Sequence, residues 1–518
     1  MANARKTIWA CIFALAACVC APFAGNTFTV EPERLGSVYR RGETAAFTCA
    51  GVVDKVDVTV CDGRLGKIAS RVLSVGTDGN ACLALSFRDL GERYGAYRVT
   101  FRAASETHET WCAFLPGERR APNPFYGTGS HAAHGWGRGE FRYLDLLAEA
   151  GIGSVRDDLF IEEWEDGAGG FTVPEKVSAF VRELRVRGVR PNLILAMRRP
   201  YTREGLSPDR FARWATFLAN TFRGEGVSFE IWNEPQNFAF KEVYGGTYHG
   251  PEAKWIPEFV TFTQRVKEAF KAAKYDNPVL LTAEDYLPAL KPMIEMGIAE
   301  KGEIISIHPY CHAEARPERG TWFFDDDGQS IRALAAAHGG CDRFWATEAG
   351  WTTVSSTGKV EHAFVGGYPR VTYVEQAQYV ARMFLIARQL GLERAFQYDF
   401  VNDGANRFYT EHNFGLINED YSPKPSYVAV AAQIALMGDA VPRGDEGNDR
   451  KRLRLYRFHM ADGRPAYAAW TVEGAATVTV PSALGLDYGL FDMFGNPLAK
   501  PKDGKLALSE EPIYIVSL

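Results

Sequence analysis

Two glutamates carry the chemistry that can be read first from this chain. Glu234 lies in Phe229-Glu230-Ile231-Trp232-Asn233-Glu234-Pro235, and Glu348 in Phe344-Trp345-Ala346-Thr347-Glu348-Ala349-Gly350-Trp351. Each ends a short apolar run, where a strand gives way to a loop, and Pro235 stops the first run directly after its carboxylate. They stand 114 residues apart, or three strand-plus-helix units of 38. Two carboxylates facing each other across a cleft can flank a glycosidic bond. One protonates the leaving oxygen while the other attacks the anomeric carbon, and the retaining version of that chemistry needs them about 5–5.5 Å apart.

The elements that must position this pair follow from the rhythm of the middle of the chain. From about 125 to 438, short apolar runs alternate with amphipathic segments. Strands are expected at 125–129, 154–157, 192–196, 228–232, 279–283, 304–308, 343–347 and 395–398. Helices are expected at 142–150, 175–187, 208–222, 256–273, 288–300, 328–338, 374–390 and 424–437. The second helix, for example, places Val177, Phe180, Val181 and Leu184 on one face. Eight of each specify an α/β fold, a (β/α)8 TIM barrel, whose catalytic groups sit at the C-terminal ends of the strands. Glu234 then ends strand four and Glu348 ends strand seven, opposite one another across the mouth. Long loops at 236–255, 312–327 and 352–373 wall that mouth.

The flanks read differently. Between 27 and 115, short alternating runs such as Val56-Asp57-Val58-Thr59-Val60 are strands of an antiparallel sandwich, and 116–124 has linker composition. After 450 the alternation returns in Leu453–Phe458, Thr477–Val480 and Ile513–Val516. The expected division is a signal peptide at 1–25, an N-terminal β-sandwich at 26–118, the barrel at 119–440, and a small C-terminal β-domain at 441–518. That last domain either packs on the barrel or shares strands with the first.

With Trp-Asn-Glu-Pro and Thr-Glu-Ala-Gly at this spacing, the sequence resembles clan A of the glycoside hydrolases, retaining (β/α)8 enzymes. Within the clan it is most similar to the β-xylosidase and α-iduronidase family and its relatives. The resemblance implies that Glu234 is the acid/base, Glu348 the nucleophile and Asn233 the group that binds the sugar 2-hydroxyl. Repulsion from an ionised Glu348 should keep Glu234 protonated in the free enzyme; once a glycosyl-enzyme forms, that charge is gone and Glu234 can act as base. His308-Pro309-Tyr310 is similar to the clan's His-x-Tyr segment, which sits against the nucleophile. Arg156, ending strand two, matches a clan arginine that bonds the nucleophile carboxylate. Where many members end strand eight with Trp, this chain has Phe396-Gln397-Tyr398-Asp399-Phe400, so either Tyr398 or Phe400 takes that place or the floor of the subsite differs.

Strand-end position alone nominates further groups. His131, after strand one, is a candidate for reaching the glycone, the sugar whose anomeric carbon reacts, and Glu284 and Asp285, ending strand five, for lining the cleft. Trp351 is the leading candidate for stacking on a sugar ring, followed by Trp136, Trp164 and Trp322. The spacing His308-x-x-Cys311-His312 does not make a persuasive metal site, and neither metal nor cofactor is implied.

The remaining composition sets bounds. With 518 residues, 46% hydrophobic and 24% charged, the chain has the make-up of a globular protein of several domains, which excludes disorder and coiled coil. A formal net charge of −6 argues against a nucleic-acid surface; the expected partner is a β-linked carbohydrate. Arg5 and Lys6, the apolar run Ile8–Ala17 and small residues to Ala24 outline a secretory leader, and no longer apolar stretch suggests a membrane span, so the protein is expected to be secreted, periplasmic or at the cell surface. Leu15-Ala16-Ala17-Cys18 resembles a lipobox, which would make Cys18 a lipid anchor. Outside the leader, Cys49, Cys61, Cys82, Cys112, Cys311 and Cys341 make an even set in an exported chain, from which disulfides are expected, with Cys311–Cys341 the pair to name. Two rival functions stay open on the same residues: a transglycosylase, and a glycan-binding protein that no longer turns over.

Overall fold

The computed structural model describes residues 28–517, apart from 53, 134–140, 285–286, 312–313, 320–330, 356, 358–367, 448 and 450. The expected leader with Cys18, together with Trp136, Asp285, His312 and Trp322, lies outside the described residues.

Eight parallel strands close into a barrel, each hydrogen-bonded to the next and the eighth to the first. They run Asn123–Gly129, Ile152–Phe160, Arg190–Ala196, Ser228–Ile231, Val279–Glu284, Ile304–Ile307, Arg343–Ala349 and Arg394–Gln397. All eight fall on the expected runs because each is apolar enough to be buried on both faces, inward to the barrel and outward to the helices. Leu280, Ile304, Trp345 and Phe396 form a separate buried cluster contributed by four successive strands. The helices after the strands begin and end within a few residues of expectation. Pro208–Thr221 is started by Ser207, whose side chain accepts from the Arg210 N–H, and Tyr373–Gln389 by a reciprocal cap between Thr372 and Glu375. The sequence did not signal a short extra helix, Phe240–Tyr244, inside the loop after strand four.

In front of the barrel lies a sandwich of two sheets. Thr29–Pro32, Thr44–Ala50 and Asn80–Ser86 form one; Val38–Arg40, Glu106–Leu115, Gly95–Ala103, Lys55–Cys61 and Lys67–Ser74 form the other. Behind it, Val441–Asp445, Leu453–His459, Pro465–Thr471, Ile513–Ser517 and Tyr488–Phe491 make a five-stranded sheet, accompanied by the pair Ala476–Thr479 and Lys505–Leu508. The C-terminal sheet shares no strand with the first module among the described residues. One of its faces joins the barrel core through Tyr456, Phe458, Trp470 and Tyr514. No described helix is long and apolar enough to cross a membrane.

The structure corrects the cysteine expectation, since all six described cysteines are free. Cys311 follows strand six at the top of the barrel. Cys341 precedes strand seven at the bottom, where Arg343 pairs with Ile304. The four residues of strand six alone span about 13 Å, whereas a disulfide needs Cα atoms within about 7 Å. Cys341 instead donates its thiol to the Glu303 carbonyl at 3.3 Å. Cys49 and Cys82 sit on paired strands but on opposite faces, one buried and one exposed. Cys61 and Cys112 are separated by the intervening strand Gly95–Ala103.

Candidate active site

The end of strand four turns sharply. Trp232 and Glu234 both adopt left-handed backbone, with φ of 71° and 42°. Non-glycine residues hold that conformation only where the surroundings fix it. Trp232 is buried and donates its indole N–H to the Phe238 carbonyl at 3.0 Å, which pins the turn. The result aims Asn233 and Glu234 into the barrel mouth. Asn237, one helical turn on, donates to Glu234 Oε2 at 3.0 Å.

Glu348 is delivered by a different irregularity. The pairing of strands seven and eight shifts register between Ala346 and Ala349, and Glu348 sits inside that shift. A bulge of this kind re-aims a side chain without ending the strand. Gly350 follows where the chain passes so close to strand eight that a Cβ would stand 2.0 Å from the Tyr398 carbonyl oxygen. No other residue fits there.

Strand six joins the two carboxylates. His308 Nδ1 lies 2.8 Å from Glu234 Oε1 and 3.8 Å from Glu348 Oε2, and Tyr310 donates its hydroxyl to Glu348 Oε2 at 2.9 Å. One oxygen of Glu234 and one of Glu348 lie within 4.8 Å of each other. From strand two, Arg156 donates Nη1 to Glu348 Oε1, Nη2 to Asn233 Oδ1 at 2.8 Å and Nε to Glu230 Oε2 at 2.6 Å. With its Oδ1 engaged this way, Asn233 keeps its NH2 group free to face a substrate. Six expected residues, Arg156, Asn233, Glu234, His308, Tyr310 and Glu348, are therefore brought together.

Beneath them lies a partner that the sequence analysis missed. Glu230 is completely buried and accepts from Arg156, from Asn192 Nδ2 at 3.1 Å and from Thr347 Oγ1 at 2.8 Å. Its signal was a lone charge inside an apolar barrel strand, a position that requires a buried cation nearby. Burial pushes the Glu348 carboxyl up, but the His308 ring, the Arg156 guanidinium and the Tyr310 hydroxyl together hold it below the ordinary carboxylate value. His308 is shifted the other way: burial lowers it, and the facing Glu348 and Glu234 more than compensate, so it titrates above an ordinary histidine.

On the side of strands one and eight, His131 lies between two carboxylates, Asp403 Oδ1 at 3.0 Å from Nδ1 and Asp399 Oδ2 at 3.6 Å from Nε2. Burial opposes its charge, yet those neighbours raise it well above the ordinary value. Tyr398 packs between His131 and Phe414, at ring distances of 6.0 and 5.4 Å, and the field of Glu348 reaches it. Phe400 instead is fully buried against Tyr143 and Tyr427, which leaves Tyr398 as the strand-eight ring nearer the mouth. Glu411, also missed, has its carboxyl pushed up to about 8 by burial and by Asp403 and Glu348.

Three nominations are corrected. Trp351 is 2% exposed, donates its indole N–H to the Ala315 carbonyl at 2.6 Å and packs on Tyr379, so it is a strut between loops and not a stacking platform. Glu284 is wholly buried; its carbonyl receives the His308 N–H at 2.9 Å, and its carboxylate does not line an open cleft. Trp164 likewise belongs to the core, edge-on to Trp214. Among the described residues, ligand-type atoms come within 4.8 Å of one another in two trios, Glu234–His308–Glu348 and His131–Asp399–Asp403. In both, the imidazole is already engaged by a carboxylate of its own trio.

No family model matches the sequence, and no curated relative does either. Solved structures do match. A family 39 glycoside hydrolase from the gut symbiont Bacteroides cellulosilyticus superposes with a TM-score of 0.69 at 20% identity, over 95% of this chain and all of the other. A monomeric β-xylosidase from Caulobacter crescentus gives 0.46 at 14% identity, over 77% of this chain and 97% of the other. The first likeness extends through the barrel and both β-modules and establishes the fold they share.

Proposed function

We propose that this protein is a glycoside hydrolase that cleaves β-glycosidic bonds with retention of configuration. The observation that carries the proposal is the pair Glu234 and Glu348. They end strands four and seven with one oxygen of each within 4.8 Å of the other, a short separation of the kind that suits a covalent glycosyl-enzyme. Glu348, ionised and oriented by Arg156 and Tyr310, attacks the anomeric carbon. The bond from that carbon to the leaving oxygen breaks as Glu234 transfers its proton to the oxygen. Water then enters, gives a proton to Glu234 and attacks the same carbon, which releases Glu348. Asn233, turned by Arg156, offers its amide N–H to the neighbouring sugar hydroxyl. The glycosidase neighbour sharing the whole architecture is consistent with this chemistry.

The test is to follow, by proton NMR, the anomer first released from a panel of aryl β-glycosides. A β-anomer supports the proposal; an α-anomer first, or turnover undiminished in Glu348→Gln, contradicts it. Longer products built in the presence of a sugar acceptor would favour transglycosylation on the same scaffold.

A further inference from the structure

The segment that follows Tyr310 is fastened to the barrel helix Tyr373–Gln389 by a buried ion pair, and the C-terminal domain adds a third donor to the same carboxylate. Glu318 lies in the short helix Pro317–Arg319, in the loop after strand six. Its Oε1 accepts from Arg382 Nε at 2.8 Å and from the Trp470 indole N–H at 2.6 Å, and its Oε2 from Arg382 Nη2. Glu318 and Arg382 are 2% and 0% exposed. Arg382 belongs to the helix that follows the Glu348 strand, and Trp470 to the C-terminal sheet. The same guanidinium donates Nη1 to the Glu510 carbonyl at 3.3 Å, and Arg316 pairs with the Glu510 carboxylate at 3.4 Å. Upstream, the Ala315 carbonyl is held by Trp351, three residues beyond Glu348.

A buried ion pair is tolerated only when its remaining hydrogen-bonding capacity is met, and breaking it leaves an uncompensated charge. Here both partners are satisfied, and the third donor to the carboxylate comes from the C-terminal domain. The segment that carries Glu318 follows closely on His308 and Tyr310, which touch Glu234 and Glu348.

We propose that the C-terminal β-domain positions the catalytic loop, with Glu318, held by Arg382 and Trp470, as the positioning residue that keeps His308 and Tyr310 on the two glutamates. The proposal rests on the glycosidase assignment only for its kinetic readout. Trp470→Phe removes the N–H donor with its five-membered ring and keeps an aromatic six-membered ring; Glu318→Gln removes the charge. In folded Trp470→Phe, kcat should fall about ten- to hundredfold, as for small displacements of catalytic groups, with KM within about twofold. The acid limb of the pH profile should move upward as Glu348 loses its donors, and backbone hydrogen exchange at Tyr310, Cys311 and 314–319 should quicken. Arg93→Ala, which removes the contact of Arg93 with Asp492 between the two β-modules, should change none of these. Unchanged kcat, pH profile and exchange in Trp470→Phe and Glu318→Gln would overturn the proposal. If the wild type hydrolyses no glycoside, the glycosidase assignment fails, and the exchange measurement still decides the positioning role.

Discussion

Tyr310 donates its hydroxyl to Glu348 Oε2 at 2.9 Å, two residues along the chain from the histidine that meets Glu234. Strand six thus reaches both carboxylates. A hydrogen bond to a charged group contributes about 1.5–3 kcal/mol, so Tyr310→Phe should lower kcat/KM roughly ten- to hundredfold and cost stability by no more than that contribution. Steady-state kinetics beside a melting curve checks this, and a loss below about threefold would remove Tyr310 from the account.

The pH dependence follows from the direction in which Glu348 is shifted. A carboxyl whose folded value is depressed contributes stability above its unfolded value, near 4.5, and loses that contribution as pH falls through the lower folded value. The nucleophile must also be ionised to attack. The acid limb of kcat/KM is therefore expected below pH 4.5 in wild type and higher in Tyr310→Phe; a wild-type limb above pH 5 would contradict the depressed value.

Arg156 is as much a structural residue as a functional one. It is the cation that meets the fully buried Glu230. Arg156→Met should cost roughly 3–5 kcal/mol of unfolding free energy, and Arg156→Lys less, although a lysine cannot serve three acceptors in one plane. Urea denaturation of both variants gives the numbers, and a cost under about 1 kcal/mol for the methionine would mean that Glu230 is satisfied without Arg156.

Glu411 titrates in the opposite sense to Glu348. Its folded value is raised to about 8, mainly by burial, so its contribution to stability is fully present below the unfolded value of 4.5 and is lost as pH rises through 8. Wild-type melting temperature should carry that decline between pH 5 and 8, and Glu411→Gln should flatten it. Parallel curves for the two proteins would show that Glu411 is not buried as described.

The barrel was legible because eight apolar runs and eight amphipathic segments alternate along the chain, and the catalytic pair because each glutamate ends such a run. Arg156, His308 and Tyr310 were found by their positions at strand ends together with the family resemblance. What escaped was whatever depended on which way a side chain turns. Trp351 follows the nucleophile directly, yet its ring turns into the packing between loops, and its indole fastens Ala315. Cys311 and Cys341 are close in sequence but lie at opposite ends of the barrel. Glu230 was quoted within its motif but passed over, because its role exists only through Arg156 on a neighbouring part of the closed sheet. The C-terminal domain's hold on Glu318 joins residues 152 apart in the chain, a pairing that no local pattern announces.

The most direct test of the central claim is to trap the intermediate. Wild-type protein would be incubated with 2-deoxy-2-fluoro β-glycosides bearing activated leaving groups, across several sugars, then digested and mapped by mass spectrometry. The account expects one fluorosugar bound covalently to Glu348, with no adduct in Glu348→Gln. Attachment to Glu234, or rapid hydrolysis with inversion and no adduct at any residue, would contradict it.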